Sequence, residues 1–187
     1  MTTKLLEIAG KYVGLTEIAG AKHNPQIVAM FKKSGAAWVE DDETPWCAAF
    51  VGAVLQDAGI KGTMKLNARS YLDWGTPVAT PQAGDVVVFW RGDKNGWQGH
   101  VAFFVRYNSA GGIVVIGGNQ GDAVGIATYP AHRLLGFRRP PVPVRSPAPR
   151  PSKPHTPVSL AKESVPALTF FAFLAAAIAA VVKFFGG

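Results

Sequence analysis

The chain has 187 residues, 48% of them hydrophobic, with 19 Lys/Arg against 12 Asp/Glu and a net charge of +7. That length suffices for one domain with a substantial core and some chain left over. The charge is unevenly placed: residues 1–137 carry 12 basic and 11 acidic side chains, residues 138–187 carry 7 basic and one acidic. A nearly neutral front region argues against a nucleic-acid groove, whereas a basic stretch beside an apolar one suits anionic lipid headgroups. The single cysteine, Cys47, excludes an intramolecular disulfide. With no CxxC and no clustered Cys/His pairs, structural zinc is not expected, nor is any other metal or cofactor.

Met1 to Glu7 is charged early and its apolar residues are spaced, so it does not read as a signal peptide. Leu5, Leu6, Ile8, Ala9, Tyr12 and Val13 instead form one helical stripe that ends at Gly14. Asn24-Pro25 opens a second helix with Ile27, Val28 and Phe31 on one face and Gly35 as its stop. Thr44 reads as the N-cap and Pro45 as the first residue of a third helix, running through Phe50, Val51, Val54 and Leu55 to Gly59. A short fourth covers Ala68 to Trp74, ended by Gly75. Strands follow at Asp85–Trp90, His100–Tyr107 and Ile113–Ile116, with short ones at Val124–Tyr129 and Leu134–Arg138. Helices first and an antiparallel sheet second is an α+β layout.

Beyond the globular region, residues 1–139, lies a Pro-rich basic linker over residues 140–163, whose eight prolines exclude helix and sheet interior and favour extended polyproline II. Residues 164–187 form the third region. Ser164 to Val182 has no charge and Phe170 to Val182 is wholly apolar. With Lys183 snorkelling, the span reaches Phe185, close to the ~20 residues a transmembrane helix needs. The expectation is a single-pass C-terminal membrane anchor, with a buried core helix as the plainer alternative.

Three residues carry the chemistry. Cys47 falls in the opening turn of the third helix, where the dipole and unpaired amides favour thiolate. His100, in Gly99-His100-Val101, stands at a strand start as the base, and Asn119, in Gly118-Asn119-Gln120, follows the next strand as the neutral group that orients the imidazole. Gln120 and Asp122 are local rivals for the orienting role, because Gly117-Gly118-Asn119-Gln120-Gly121-Asp122 is also ordinary turn chemistry. Asp85 reads as a strand-entry residue. The run Glu40-Asp41-Asp42-Glu43 reads as a solvated loop or a cleft lip for cationic groups, and Trp97 as a cleft aromatic.

Pro45-Trp46-Cys47-Ala48-Ala49-Phe50-Val51, Gly84-Asp85-Val86-Val87-Val88-Phe89, Gly99-His100-Val101 and Gly118-Asn119-Gln120, in that order, resemble the CHAP and NlpC-type cell-wall hydrolases, nearest to a CHAP-like branch common in phages and prophages. The resemblance covers about residues 5–139. It implies a papain-like fold and cleavage of an amide bond in peptidoglycan, with Cys47 as nucleophile, His100 as base and Asn119 at the position of the third polar residue.

Without a signal peptide, a C-terminal span leaves the hydrolase on the cytoplasmic side, and the basic linker favours the same orientation. Peptidoglycan lies on the other side. A membrane-bearing virion would reconcile the two, and virion membrane or capsid proteins are then further partners. The alternatives are a thiol peptidase or deamidase acting on proteins, and a non-enzymatic virion membrane protein that docks to the wall.

Overall fold

A computed structural model describes residues 2–141. Both the linker beyond residue 141 and the apolar segment expected to anchor the chain lie outside the described residues. Among the described residues no helix is long and apolar enough to cross a membrane.

Three helices precede the sheet: α1 (Thr2–Gly10), α2 (Pro25–Lys33) and α3 (Cys47–Asp57). α1 stops at Gly10, four residues before the expected end, and the chain continues through turns that hand the Gly14 N–H to Val124 O. α2 starts where Asn24-Pro25 directs it, with the Asn24 side chain accepting from the Gln26 N–H. α3 is apolar on every side and buried from Cys47 through Leu55, as a helix sandwiched between other elements must be. The expected fourth helix is a 3-10 helix, Ala68–Asp73.

Six strands form one antiparallel sheet: β1 (Thr76–Val78), β2 (Val86–Trp90), β3 (Gly99–Tyr107), β4 (Ile113–Gly117), β5 (Gly125–Tyr129) and β6 (Leu134–Arg139), in the order β1-β6-β2-β3-β4-β5. β1 carries Pro77 and sits at the sheet edge, where a residue without an N–H is tolerated. Its three residues have no apolar alternation, so the sequence offers no sign of it.

β2, β3 and β4 are buried on both faces. Val86, Val88, Val101, Phe103 and Ile116 join the core shared with the helices. Val87, Phe89, Ala102, Phe104, Ile113, Val115 and Phe137 form a second cluster on the other face. Such two-sided burial accounts for the continuous valine run, which replaces apolar/polar alternation. Asp85, fully buried before β2, accepts from the Gln82 N–H at 2.7 Å and from Arg139 Nε and Nη2 at 3.1 and 2.9 Å. This forked pair ties the entry of β2 to the end of β6 and matches the structural role read for Asp85.

Candidate active site

Cys47 is the first residue of α3, preceded by Trp46 in the cap position with no side-chain cap. Thr44 is not the N-cap. Its backbone N–H and hydroxyl both donate to the Asp41 carboxylate, at 2.6 and 3.1 Å, so its side chain closes a turn instead of capping a helix. The helix therefore begins two residues later than Pro45. Trp46 is fully buried and its indole N–H donates to Glu17 Oε1 at 2.6 Å, fixing the backbone immediately before the thiol. Gly118 packs against it: a Cβ there would lie 2.5 Å from Trp46 Cζ3 and 2.6 Å from Phe50 Cβ.

Cys47 is 6% exposed. Burial pushes the thiol pKa up, against the Val101 N–H, the charge of Arg91 and the N–H groups of Ala48 and Cys47, all of which favour thiolate. The expected ready thiolate is thus corrected to a resting thiol. The helix-start amides do act on the sulfur, but desolvation outweighs them. Cys47 and Val101, the residue after His100, lie in the same buried core cluster.

His100 is fully buried at the start of β3. Its Nε2 lies 3.1 Å from Gln120 Oε1 and its Nδ1 lies 3.1 Å from Arg91 Nη2. The network assigns the tautomer. The Gln120 amide donates to Gly117 O at 3.2 Å and Gly125 O at 2.7 Å, which turns Oε1 toward the imidazole. A guanidinium can only donate, so Nδ1 accepts and Nε2 carries the proton. Burial and the adjacent Arg91 charge hold the imidazole pKa down, at about 3, against the hydrogen bond to Gln120. Tyr129 stacks on the ring, with centroids 5.1 Å apart and planes 19° from parallel, and also on Phe89 at 4.5 Å.

Asn119 does not contact the imidazole; its amide donates to Glu17 Oε1 at 3.1 Å. It has φ 54°, and at this turn the two consecutive amide side chains leave in different directions. Asn119 helps hold the Glu17–Trp46 brace, and Gln120, the rival read from the same turn, orients His100. Asp122 is exposed, and its carbonyl accepts from the Glu17 N–H.

Asp42, read as part of a solvated run, is fully buried. It accepts from the N–H groups of Ile18 and Asn24 at 2.8 Å and lies 3.0 Å from His23 Nδ1. Burial pushes its carboxyl up, but these partners together bring it below the ordinary value. It is a loop anchor. Among the described residues no cluster of His, Cys, Asp and Glu has the makings of a metal site. Trp97 is 75% exposed, in the β2–β3 connection.

Arg91, Gln120, Tyr129 and Glu17 thus join Cys47 and His100, two of the three residues the sequence singles out. Gln120 had a signal in its turn. Arg91 had none, because only the β2–β3 hairpin returns it to the histidine nine positions on.

The arrangement can perform nucleophilic acyl chemistry: a thiol at a helix start, a neutral imidazole with its basic nitrogen free of its own proton, and an amide that fixes the tautomer. No curated protein matches the chain. One matching solved structure is an NlpC/P60 family protein from Bacillus cereus ATCC 10987, 19% identical, with a TM-score of 0.48. The match covers 74% of this chain and 40% of that one, so the chain spans well under half of that protein's length. Residues 39–119, which hold Cys47, His100 and Asn119, match the family model of the CHAP domain.

Proposed function

We propose that the front domain is a cysteine-dependent hydrolase that cuts an amide bond of peptidoglycan. A CHAP domain suggests a peptidoglycan amidase or peptidase. The observation that carries the reading is the His100 network: Gln120 accepts from Nε2–H, so Nδ1, which accepts from Arg91, is the nitrogen without a proton of its own and the one we assign to take the thiol proton. On attack, the sulfur–carbon bond forms as the thiol proton passes to Nδ1. The imidazolium returns that proton to the leaving amine as the carbon–nitrogen bond breaks. Water then releases the acyl group from sulfur, again with Nδ1 as base. Burial of both groups strengthens the electrostatics of each step.

A phage lytic or virion entry role, with residues 140–163 as linker and residues 164–187 as a membrane anchor, extends this reading. Its support is the basic, Pro-rich stretch followed by an uncharged apolar one. Zymography on purified wall tests the enzyme. Clearing by the wild type and none by a folded Cys47→Ala variant is expected. Equal clearing by both would remove Cys47 as nucleophile. Detection of the protein in purified particles tests the virion role, and its confinement to free host membrane would refute it.

A further inference from the structure

Arg91 occupies the nitrogen that the proposed mechanism needs. Its Nη2 lies 3.1 Å from His100 Nδ1. This partner is neutral. The salt bridges among the described residues join His23 to Asp42, Lys33 to Asp57 and Arg139 to Asp85, so Arg91 has no carboxylate. A half-buried guanidinium whose one hydrogen-bond partner is a neutral imidazole has an unspent affinity for a planar anion, which it binds with a two-pronged fork.

Its backbone is held in place. The Arg91 N–H donates to Gln98 O at 3.3 Å, and Arg69 pins the same connection through Gln98 O, Lys94 O and Asp93 O at 2.8, 3.0 and 3.1 Å. Among the described residues the Arg91 side chain makes its one hydrogen bond to Nδ1. While it donates to Nδ1, that lone pair is engaged and an imidazolium beside the guanidinium is disfavoured. A carboxylate arriving at the site would draw the guanidinium off Nδ1.

Resting on the hydrolase reading, we propose that Arg91 is the receptor for a substrate carboxylate next to the scissile amide, and that capturing it releases His100 Nδ1 to deprotonate Cys47. The substrate class is therefore a peptide with a free carboxylate flanking the cut bond, as stem peptides offer, in preference to its amidated counterpart. Arg91 is both a specificity residue and a restraint on the base in the empty site.

The test uses the full chain and its single thiol, comparing alkylation by iodoacetate with alkylation by iodoacetamide, in which sulfur displaces iodide. The wild type is expected to favour iodoacetate about tenfold more than Arg91→Gln does, the scale of one charge-assisted hydrogen bond. With the neutral iodoacetamide, Arg91→Gln frees the base but also removes a charge that favours thiolate, so the reagent ratio and not the absolute rate is the readout. A merely structural arginine would slow both reagents together. Equal reagent ratios in the two proteins would overturn the clamp. If Arg91→Gln does not fold, the wild type alone decides: acetate accelerates iodoacetamide relative to chloride at matched ionic strength, or the proposal fails. Wall clearing tests the hydrolase reading separately. An active enzyme with unchanged reagent ratios refutes only the clamp, whereas a Cys47 inert to both reagents, with clearing undiminished in Cys47→Ala, refutes both.

Discussion

Removing the Gln120 side chain should injure catalysis far more than removing the neighbouring Asn119. Gln120→Ala leaves the buried His100 Nε2–H without its acceptor and the Gly117 and Gly125 carbonyls without their donor. A buried polar group left unsatisfied costs ~1–3 kcal/mol. The imidazolium of the attack step needs the Nε2 acceptor more than the neutral ring does, so one such cost falls on the barrier. At ~1.4 kcal/mol per tenfold, kcat should fall roughly 5–150-fold. Asn119→Gly keeps the positive φ at no strain and removes one hydrogen bond to Glu17, which retains its bond from Trp46. It should cost ~0.5–1.5 kcal/mol of stability and leave kcat per folded molecule unchanged. Initial rates of wall solubilisation, normalised to folded protein by circular dichroism, separate the two. Full activity in Gln120→Ala, or a larger kcat loss in Asn119→Gly, would refute the assignment of the orienting role.

Because burial raises the Cys47 thiol pKa and lowers that of His100, the free enzyme holds a neutral pair at neutral pH. Iodoacetamide alkylation should therefore climb steadily as pH rises toward and past the ordinary thiol range, and a flat plateau from mildly acidic to neutral pH would reveal a preformed ion pair instead. Asp85→Asn removes the charge from the fully buried partner of Arg139, whose own side chain is 34% exposed. Discounted for that exposure, the loss is about 2–3 kcal/mol, a fall in melting temperature of roughly 5–10 °C by thermal denaturation. Gly118→Ala drives a methyl into Trp46 and Phe50 and should cost ~1–3 kcal/mol in a urea titration, with a wild-type midpoint contradicting the packing described.

Much of the fold is legible because burial writes directly into the sequence. Asn24-Pro25 places α2, and the valine runs place β2 and β4, since local chemistry and tertiary demand agree there. Where long-range contacts decide, the sequence misleads. Thr44 has the chemistry of a cap, but Asp41 competes for its donors and wins. Asn119 and Gln120 carry the same functional group one bond apart in a turn, and only the backbone conformation there tells which amide meets the imidazole. The thiol was expected to ionise from its place at a helix start. That logic counts the amides but omits the solvent, and burial is a property of the packed molecule.

The β2–β3 hairpin explains why Arg91 and His100 converge. Phe89 pairs with His100 and Trp90 with Gly99 across antiparallel strands, so the residue after β2 must return beside the residues that open β3. Gly99 makes that pairing close: a Cβ there would lie 2.9 Å from Phe89 O and 3.1 Å from Arg69 Cγ. The same missing side chain admits Arg69, which braces the connection from outside. α3 packs its buried length against the helix-facing side of β3, where Val101 and Phe103 share its core. Each part of the site is thus set by an element whose position the core has already determined.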